Sequence, residues 1–183
     1  MKSKYIFKVV ICGEGGVGKT TFIDRYASKT FNKNTKITIG AGFYAFYDEI
    51  DSDTIIKLQV WDFGGEKRFR FILPSYCQGA HGVIFAFDLT RSSSLLNLGE
   101  WVDLVNNNTN NDPLFLLIGT KADKLGEAGT EAIKDEKIAD FMRKHDFIPN
   151  LFFKTSSKSG ENVKDVFSTL SNLLYARVNQ LNG

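Results

Sequence analysis

Eight residues near the start of the chain, Gly13-Glu14-Gly15-Gly16-Val17-Gly18-Lys19-Thr20, constrain it more than any other stretch. They read G-x-x-x-x-G-K-T. The run before them, Tyr5-Ile6-Phe7-Lys8-Val9-Val10-Ile11-Cys12, is β-branched and aromatic and suits a buried strand. The run after them, Thr21-Phe22-Ile23-Asp24-Arg25-Tyr26-Ala27, suits a helix. Glycines carry no Cβ, so consecutive backbone N–H groups can converge on one anion. The helix that follows adds its unpaired N–H groups and the positive end of its dipole. Lys19 brings a full charge to the outer phosphates of a polyphosphate, and the Thr20 hydroxyl can ligate Mg²⁺. Strand, glycine loop and helix together predict a phosphate cradle formed by Gly13, Glu14, Gly15, Gly16, Val17, Gly18, Lys19, Thr20 and Thr21.

A chain of 183 residues holds one well-cored domain, expected to span 1–183, and is too short for two of ordinary size. A net charge of +2 argues against nucleic acid as the main partner. No apolar run approaches the ~20 residues a membrane span requires. Met1-Lys2-Ser3-Lys4 runs straight into the first strand, so no signal peptide is expected. Cys12 and Cys77 are expected to be reduced, buried thiols. These features point to a cytoplasmic monomer.

Periodicity divides the rest. A helix follows the phosphate loop to about residue 28, and 28–42 reads as a mobile loop. Strands over 43–50 and 55–61 enclose a turn and form a hairpin. A loop over 62–66 leads into a helix through Tyr76, with Pro74 distorting it. Residues 82–88 are continuously apolar, the mark of a parallel strand covered on both faces. Ser92 and Ser93 are candidate N-caps for a helix whose Leu95, Leu98, Trp101, Val102 and Val105 keep helical spacing. An asparagine-rich turn over 106–112 precedes a buried strand over 114–118. A loop over 126–130 comes before a polar surface helix marked by Ile133, Ile138, Phe141 and Met142. The last strand runs over 151–155. The final helix presents Val163, Val166, Phe167, Leu170, Leu173, Leu174, Val178 and Leu181 on one face. The order β-α-β-β-α-β-α-β-α-β-α predicts an α/β fold: a six-stranded, mostly parallel sheet with one antiparallel edge strand and helices on both faces. Ligands belong at the carboxyl ends of such strands, where every motif falls.

Three further pieces stand at set distances from the phosphate loop. Thr38 lies eighteen residues past Thr20, in Ile37-Thr38-Ile39-Gly40. Trp61-Asp62-Phe63-Gly64-Gly65-Glu66 contains D-x-x-G. The third piece is in two parts: Thr120-Lys121-Ala122-Asp123 follows a buried strand, and Ser156-Ser157-Lys158 follows another. With these the chain resembles a Ras-superfamily small GTPase from about Lys8 to Leu174. The resemblance implies a guanine-nucleotide switch with Mg²⁺ and bound GTP or GDP. Thr38 would close on Mg²⁺ and the γ-phosphate only when triphosphate is bound. Asp62 would hold Mg²⁺ through water, and the Gly65 N–H would bind the γ-phosphate. The metal set is thus Thr20, Thr38 and Asp62. The catalytic set is Lys19, Thr38, Gly65 and Glu66. Thr120-Lys121-Ala122-Asp123 matches [N/T]-K-x-D: the Asp123 carboxylate can accept two hydrogen bonds from guanine, which adenine cannot offer. The Lys121 stem would lie over the base, Ser156, Ser157 and Lys158 would meet guanine O6 by a backbone N–H, and Phe31 would pack edge-on. Effectors, exchange factors and activating proteins would use switch I (about 31–42), the 43–50 strand and switch II (about 62–76). The segments around Thr38, 75–82 and 160–163 are Rab-like, Gly64-Gly65 is closer to the Arf group, and Thr120 is closer to Rho.

The departures carry their own expectations. Glu66 stands where most members have a glutamine that orients the attacking water. It loses the amide donor and brings negative charge toward the γ-phosphate, which predicts hydrolysis slowed roughly ten- to thousandfold; a general-base role for Glu66 is the alternative. Arg68 and Arg70 read as solvated surface rather than an internal arginine finger. The last eight residues contain no cysteine, so no lipid-anchor motif is present. Phe43, Tyr44, Phe46 and Tyr47 put aromatics on both faces of the edge strand, one a candidate partner surface. His81 and His145 show no metal-ligand spacing. A GTP-binding interaction module with negligible hydrolysis is the second reading of function. A P-loop kinase or ATPase is disfavoured by the guanine motif.

Overall fold

The computed structural model describes residues 2–66, 71–110 and 112–181. Six strands form one sheet: β1 (Ser3–Cys12), β2 (Ala41–Asp51), β3 (Thr54–Phe63), β4 (Gly82–Asp88), β5 (Leu114–Thr120) and β6 (Phe152–Lys154). Their order is β2-β3-β1-β4-β5-β6. Every neighbouring pair is parallel except β2 with β3, which is the predicted hairpin and places the antiparallel strand at the edge. Parallel neighbours require crossovers, and the helices supply them. They are α1 (Lys19–Ser28), α2 (Leu73–Cys77), α3 (Ser92–Leu96), α4 (Leu98–Asn106), α5 (Asp135–Lys144) and α6 (Val163–Leu181).

The sheet has a core on each face. On one, Phe22, Ile23, Val166, Phe167 and Leu170 of α1 and α6 pack against Val9, Ile11, Leu58 and Ile84. On the other, Leu98, Trp101, Val102 and Val105 of α4 pack against Val10, Val83, Phe85 and Phe87. All seven residues of β4 are buried, as its continuous apolar run requires. In β2 the side chains alternate. Tyr44 and Phe46 turn to the α1/α6 core, with Phe46 edge-on to Tyr26 at 4.9 Å. Phe43 and Tyr47 turn outward and are 51% and 63% exposed.

Local expectations needed correction at four places. Within the described residues the helix before Tyr76 begins only at Leu73, and Pro74 sits in its first turn rather than in its interior. A proline's missing N–H costs nothing there, because that donor has no helical acceptor. Arg68 and Arg70 lie outside the described residues. The single helix expected from Ser92 is two, α3 and α4, divided at Asn97. Neither Ser92 nor Ser93 caps α3: Arg91 holds the cap position in extended backbone. The Ser94 hydroxyl instead accepts the Asp88 N–H at 2.9 Å and donates to the Arg91 carbonyl at 2.6 Å. The last strand is shorter than 151–155, because residues 149–151 form a 3₁₀ turn ahead of it.

Candidate functional site

At the carboxyl ends of the central strands lies a cavity of about 590 Å³. The phosphate-loop residues Gly15, Gly16, Val17, Gly18, Lys19, Thr20 and Thr21 line one side. Thr120, Lys121, Asp123, Ser157 and Lys158 line the far end. Phe31 and Thr38, from the long connection between α1 and β2, and Gly65 and Glu66, after β3, complete the wall. Four predicted site residues stand outside this lining. Gly13 packs behind the loop, where a Cβ would fall 2.1 Å from the Ala86 carbonyl oxygen. Glu14 turns its side chain toward the β4–α3 segment. Asp62 and Ser156 are fully buried.

The loop's geometry follows from its glycines and from the groups that hold its carbonyls. Gly18 is left-handed at φ 98° and leads straight into α1, so the amides of the first turn face the cavity. The Lys19 ammonium folds back over the loop and donates to the carbonyls of Gly13 and Glu14 at 2.7 and 2.9 Å. Its burial lowers its pKa to about 8, with Asp62 pulling the other way. Lys121 donates to the Gly16 carbonyl at 3.0 Å, and the Thr120 hydroxyl donates to that of Val17 at 2.5 Å. These contacts fix the carbonyls of Gly13, Glu14, Gly16 and Val17.

Beneath the loop three oxygens converge. The Thr20 and Thr38 hydroxyls are 2.6 Å apart, and both reach Asp62 Oδ2, at 2.5 and 3.3 Å. Burial pushes the Asp62 carboxyl upward in pKa, while the Thr20 hydroxyl and the Lys19 charge restrain it. Asp62 Oδ1 is buried without a hydrogen-bond partner among the described residues. Hard oxygen donors with one orphaned carboxylate oxygen suit a small divalent cation such as Mg²⁺.

The D-x-x-G segment lies directly on the phosphate loop. The Gly15 N–H donates to the Gly65 carbonyl at 3.1 Å, and the Gly64 N–H donates to that of Gly40 at 2.8 Å. A Cβ at Gly65 would stand 2.2 Å from both the Glu14 carbonyl carbon and the Gly15 nitrogen, so only glycine permits this approach. At the far end Asp123 Oδ1 accepts from the Ser156 hydroxyl at 2.6 Å, which orients the carboxylate. Lys121, left-handed at φ 62°, pairs with Asp88 at 2.7 Å. Burial works against the Asp88 carboxylate, but Lys121 and Thr90 outweigh it and hold its pKa low.

Two residues absent from the motifs also reach the loop. Arg91 donates to the Gly15 carbonyl, and Asn97 donates to Glu14. Nothing in their spacing marks them; Arg91 comes from the β4–α3 connection and Asn97 from the junction of α3 and α4.

Comparison with known proteins gives the family. Residues 8–176 match the model of the Ras family. The chain is 34% identical over 177 residues to the Ras-related protein RABA5c of Arabidopsis thaliana, a match covering 97% of this chain and 79% of that protein. The chain is therefore a Rab-like member of the Ras family, a GTP-binding molecular switch that hydrolyses GTP.

Proposed function

We propose that the chain is a single-domain, monomeric switch over 1–183 in which Glu66 sets a slow intrinsic hydrolysis of GTP. The observation that carries the nucleotide site is the meeting of Thr20, Thr38 and Asp62 beneath the cradle, although they lie far apart in sequence. In this reading the amides over 13–18 and those of Lys19, Thr20 and Thr21 hold the phosphates, and Lys19 adds its charge. Thr20 and Thr38 ligate Mg²⁺ directly and Asp62 acts through water. Bound there, Mg²⁺ neutralises phosphate charge and orients the outer phosphates. Asp123 accepts from guanine, Lys121 covers the base, Phe31 packs against its edge, and Thr120, Ser156, Ser157 and Lys158 shape the base pocket. Gly65 already lies against the loop, and a γ-phosphate offers its N–H a charged acceptor.

Glu66 lines the cavity on the side of Gly15 and Gly65. A carboxylate there accepts a hydrogen bond from the attacking water but cannot donate to the developing phosphate charge, and it adds repulsion. Single-turnover hydrolysis of wild type and Glu66→Gln tests this. The substitution is expected to speed turnover by roughly ten- to thousandfold. An unchanged or slower rate overturns the slow-switch reading and leaves a general-base role.

The same residue favours a second reading, a module that signals by GTP occupancy alone. Turnover measured with and without a source of activating protein separates the two: a large acceleration supports the switch, and none supports the module. In either case partners would meet the exposed Ile37, Ile39, Phe43 and Phe71 around the two switch segments. Phe43 packs at a tilt on Trp61, and Trp61 on Tyr76, each pair with centroids 4.9 Å apart, so this surface joins β2, β3 and α2.

A further inference from the structure

The carbonyls of the cradle are held one by one. Lys19 takes those of Gly13 and Glu14, Lys121 that of Gly16, and Thr120 that of Val17. The remaining carbonyl, that of Gly15, is held by a residue outside every nucleotide motif: Arg91 Nη2 donates to it at 2.9 Å. The same nitrogen stands 3.6 Å from Glu14 Oε2. Glu14 Oε1 accepts from Asn97 Nδ2 at 2.6 Å. Arg91 is itself fixed at both backbone ends. Its N–H donates to the Asp88 carbonyl at 3.0 Å, and its carbonyl accepts from the Ser94 N–H at 2.9 Å and the Ser94 hydroxyl at 2.6 Å. Arg91 Nε is buried without a hydrogen-bond partner among the described residues, so the guanidinium is committed to this position at a cost.

Two physical problems meet at this point. The peptide between Gly15 and Gly16 is flanked by residues without a Cβ, so it can turn over cheaply and aim its carbonyl at the phosphates. Glu14 also carries a carboxylate on a loop that must accept several negative charges, and that carboxylate lies on Arg91 and Asn97. A cation that binds the Gly15 carbonyl and draws the Glu14 carboxylate outward answers both.

We propose that Arg91 is a positioning residue of the nucleotide site, holding the Gly15 carbonyl and the Glu14 carboxylate away from the phosphates so that the cradle's amides face them. The proposal rests on the reading of the loop as the nucleotide cradle. Arg91 is not among the residues that line the cavity; it acts through the loop backbone. Asn97 supports it from α3–α4 by holding the second carboxylate oxygen of Glu14.

The test is release of fluorescent GDP from the Mg²⁺-loaded protein, followed by stopped flow in wild type, Arg91→Ala and Arg91→Lys, with urea midpoints measured on each. Arg91→Ala is expected to release nucleotide roughly ten- to hundredfold faster, the scale of losing one hydrogen bond to a charged group. Arg91→Lys, which keeps a cationic donor, is expected to recover part of that loss. A urea midpoint lowered equally in both variants, with recovery only in Arg91→Lys, separates positioning from stability. Release from Arg91→Ala at the wild-type rate overturns the proposal, and so does Arg91→Lys that releases as fast as Arg91→Ala. Absence of GDP binding by the wild-type protein overturns both this proposal and the nucleotide-site reading. Wild-type binding with unchanged release from Arg91→Ala overturns this one alone.

Discussion

At the scale of single residues, the motifs and the geometry describe different things. The letters of Thr120-Lys121-Ala122-Asp123 predict base recognition, but not that Lys121 and Thr120 also pin two carbonyls of the phosphate loop. Lys121 thus ties the segment expected to hold the base to the phosphate loop. Asp123, whose Oδ1 is oriented by Ser156, should discriminate guanine by accepting two hydrogen bonds. Asp123→Asn is expected to weaken GDP binding by roughly a hundredfold or more, because an amide cannot accept at both atoms. The same variant should gain affinity for xanthosine diphosphate, whose second carbonyl replaces guanine's amino group; equilibrium titration with both nucleotides checks this. Gly65 is constrained as tightly, since a Cβ there would lie 2.2 Å from the phosphate loop. Gly65→Ala should fold and bind GDP but lose the contact between switch II and the loop. The expected sign is slower single-turnover hydrolysis with little change in GDP affinity.

At the scale of elements, packing explains what propensity did not. The aromatic residues of β2 could not be assigned inside or outside from spacing alone, because both faces read alike. The fold decides it: Phe46 and Phe22 both contact Phe167 of α6, with ring centroids 5.6 and 5.3 Å away, while Phe43 and Tyr47 face out. Phe167 is fully buried and also stacks on Tyr26 at 4.1 Å. Phe167→Ala should cost about 3–5 kcal/mol in urea unfolding, through lost burial and the cavity left behind. The pairing of β1 with the β4 entrance depends on a neutral histidine. His81 Nδ1 accepts the Lys8 N–H at 2.9 Å, and the His81 N–H donates to the Lys8 carbonyl at 2.8 Å. Burial, helped by the Lys8 charge, lowers the His81 pKa from its ordinary 6.5. The unfolded chain therefore binds the proton more readily. The contribution to stability is complete above about 6.5 and is lost as the pH falls through the lower, folded value. The urea midpoint of wild type should drop between pH 7 and 5 by more than that of His81→Gln.

At the scale of the whole molecule, a loop near residue 13, a hairpin exit near 62 and two strand ends near 120 and 156 form one cavity. A ligand that bridges all four should stabilise the fold by mass action. GDP with Mg²⁺ at a hundred times its dissociation constant should add about 2.7 kcal/mol, read as a rise in melting temperature, and a chelator should remove much of it. The described helices include none long and apolar enough to cross a membrane.

The order of strands, the parallel sheet with its antiparallel edge and the four nucleotide motifs were legible in the amino-acid sequence. Each depends on local spacing: period two or continuous burial for strands, 3.6 for helices, fixed intervals for the motifs. What spacing cannot carry is contact between segments remote in the chain. The division at Asn97, the Pro74 start of α2, the outward turn of Phe43 and Tyr47, and the grip of Arg91 on the Gly15 carbonyl across 76 positions exist only once the chain has folded. Such contacts are set by which surfaces the sheet brings together, and that choice is made by burial over the whole chain rather than by any short stretch of it.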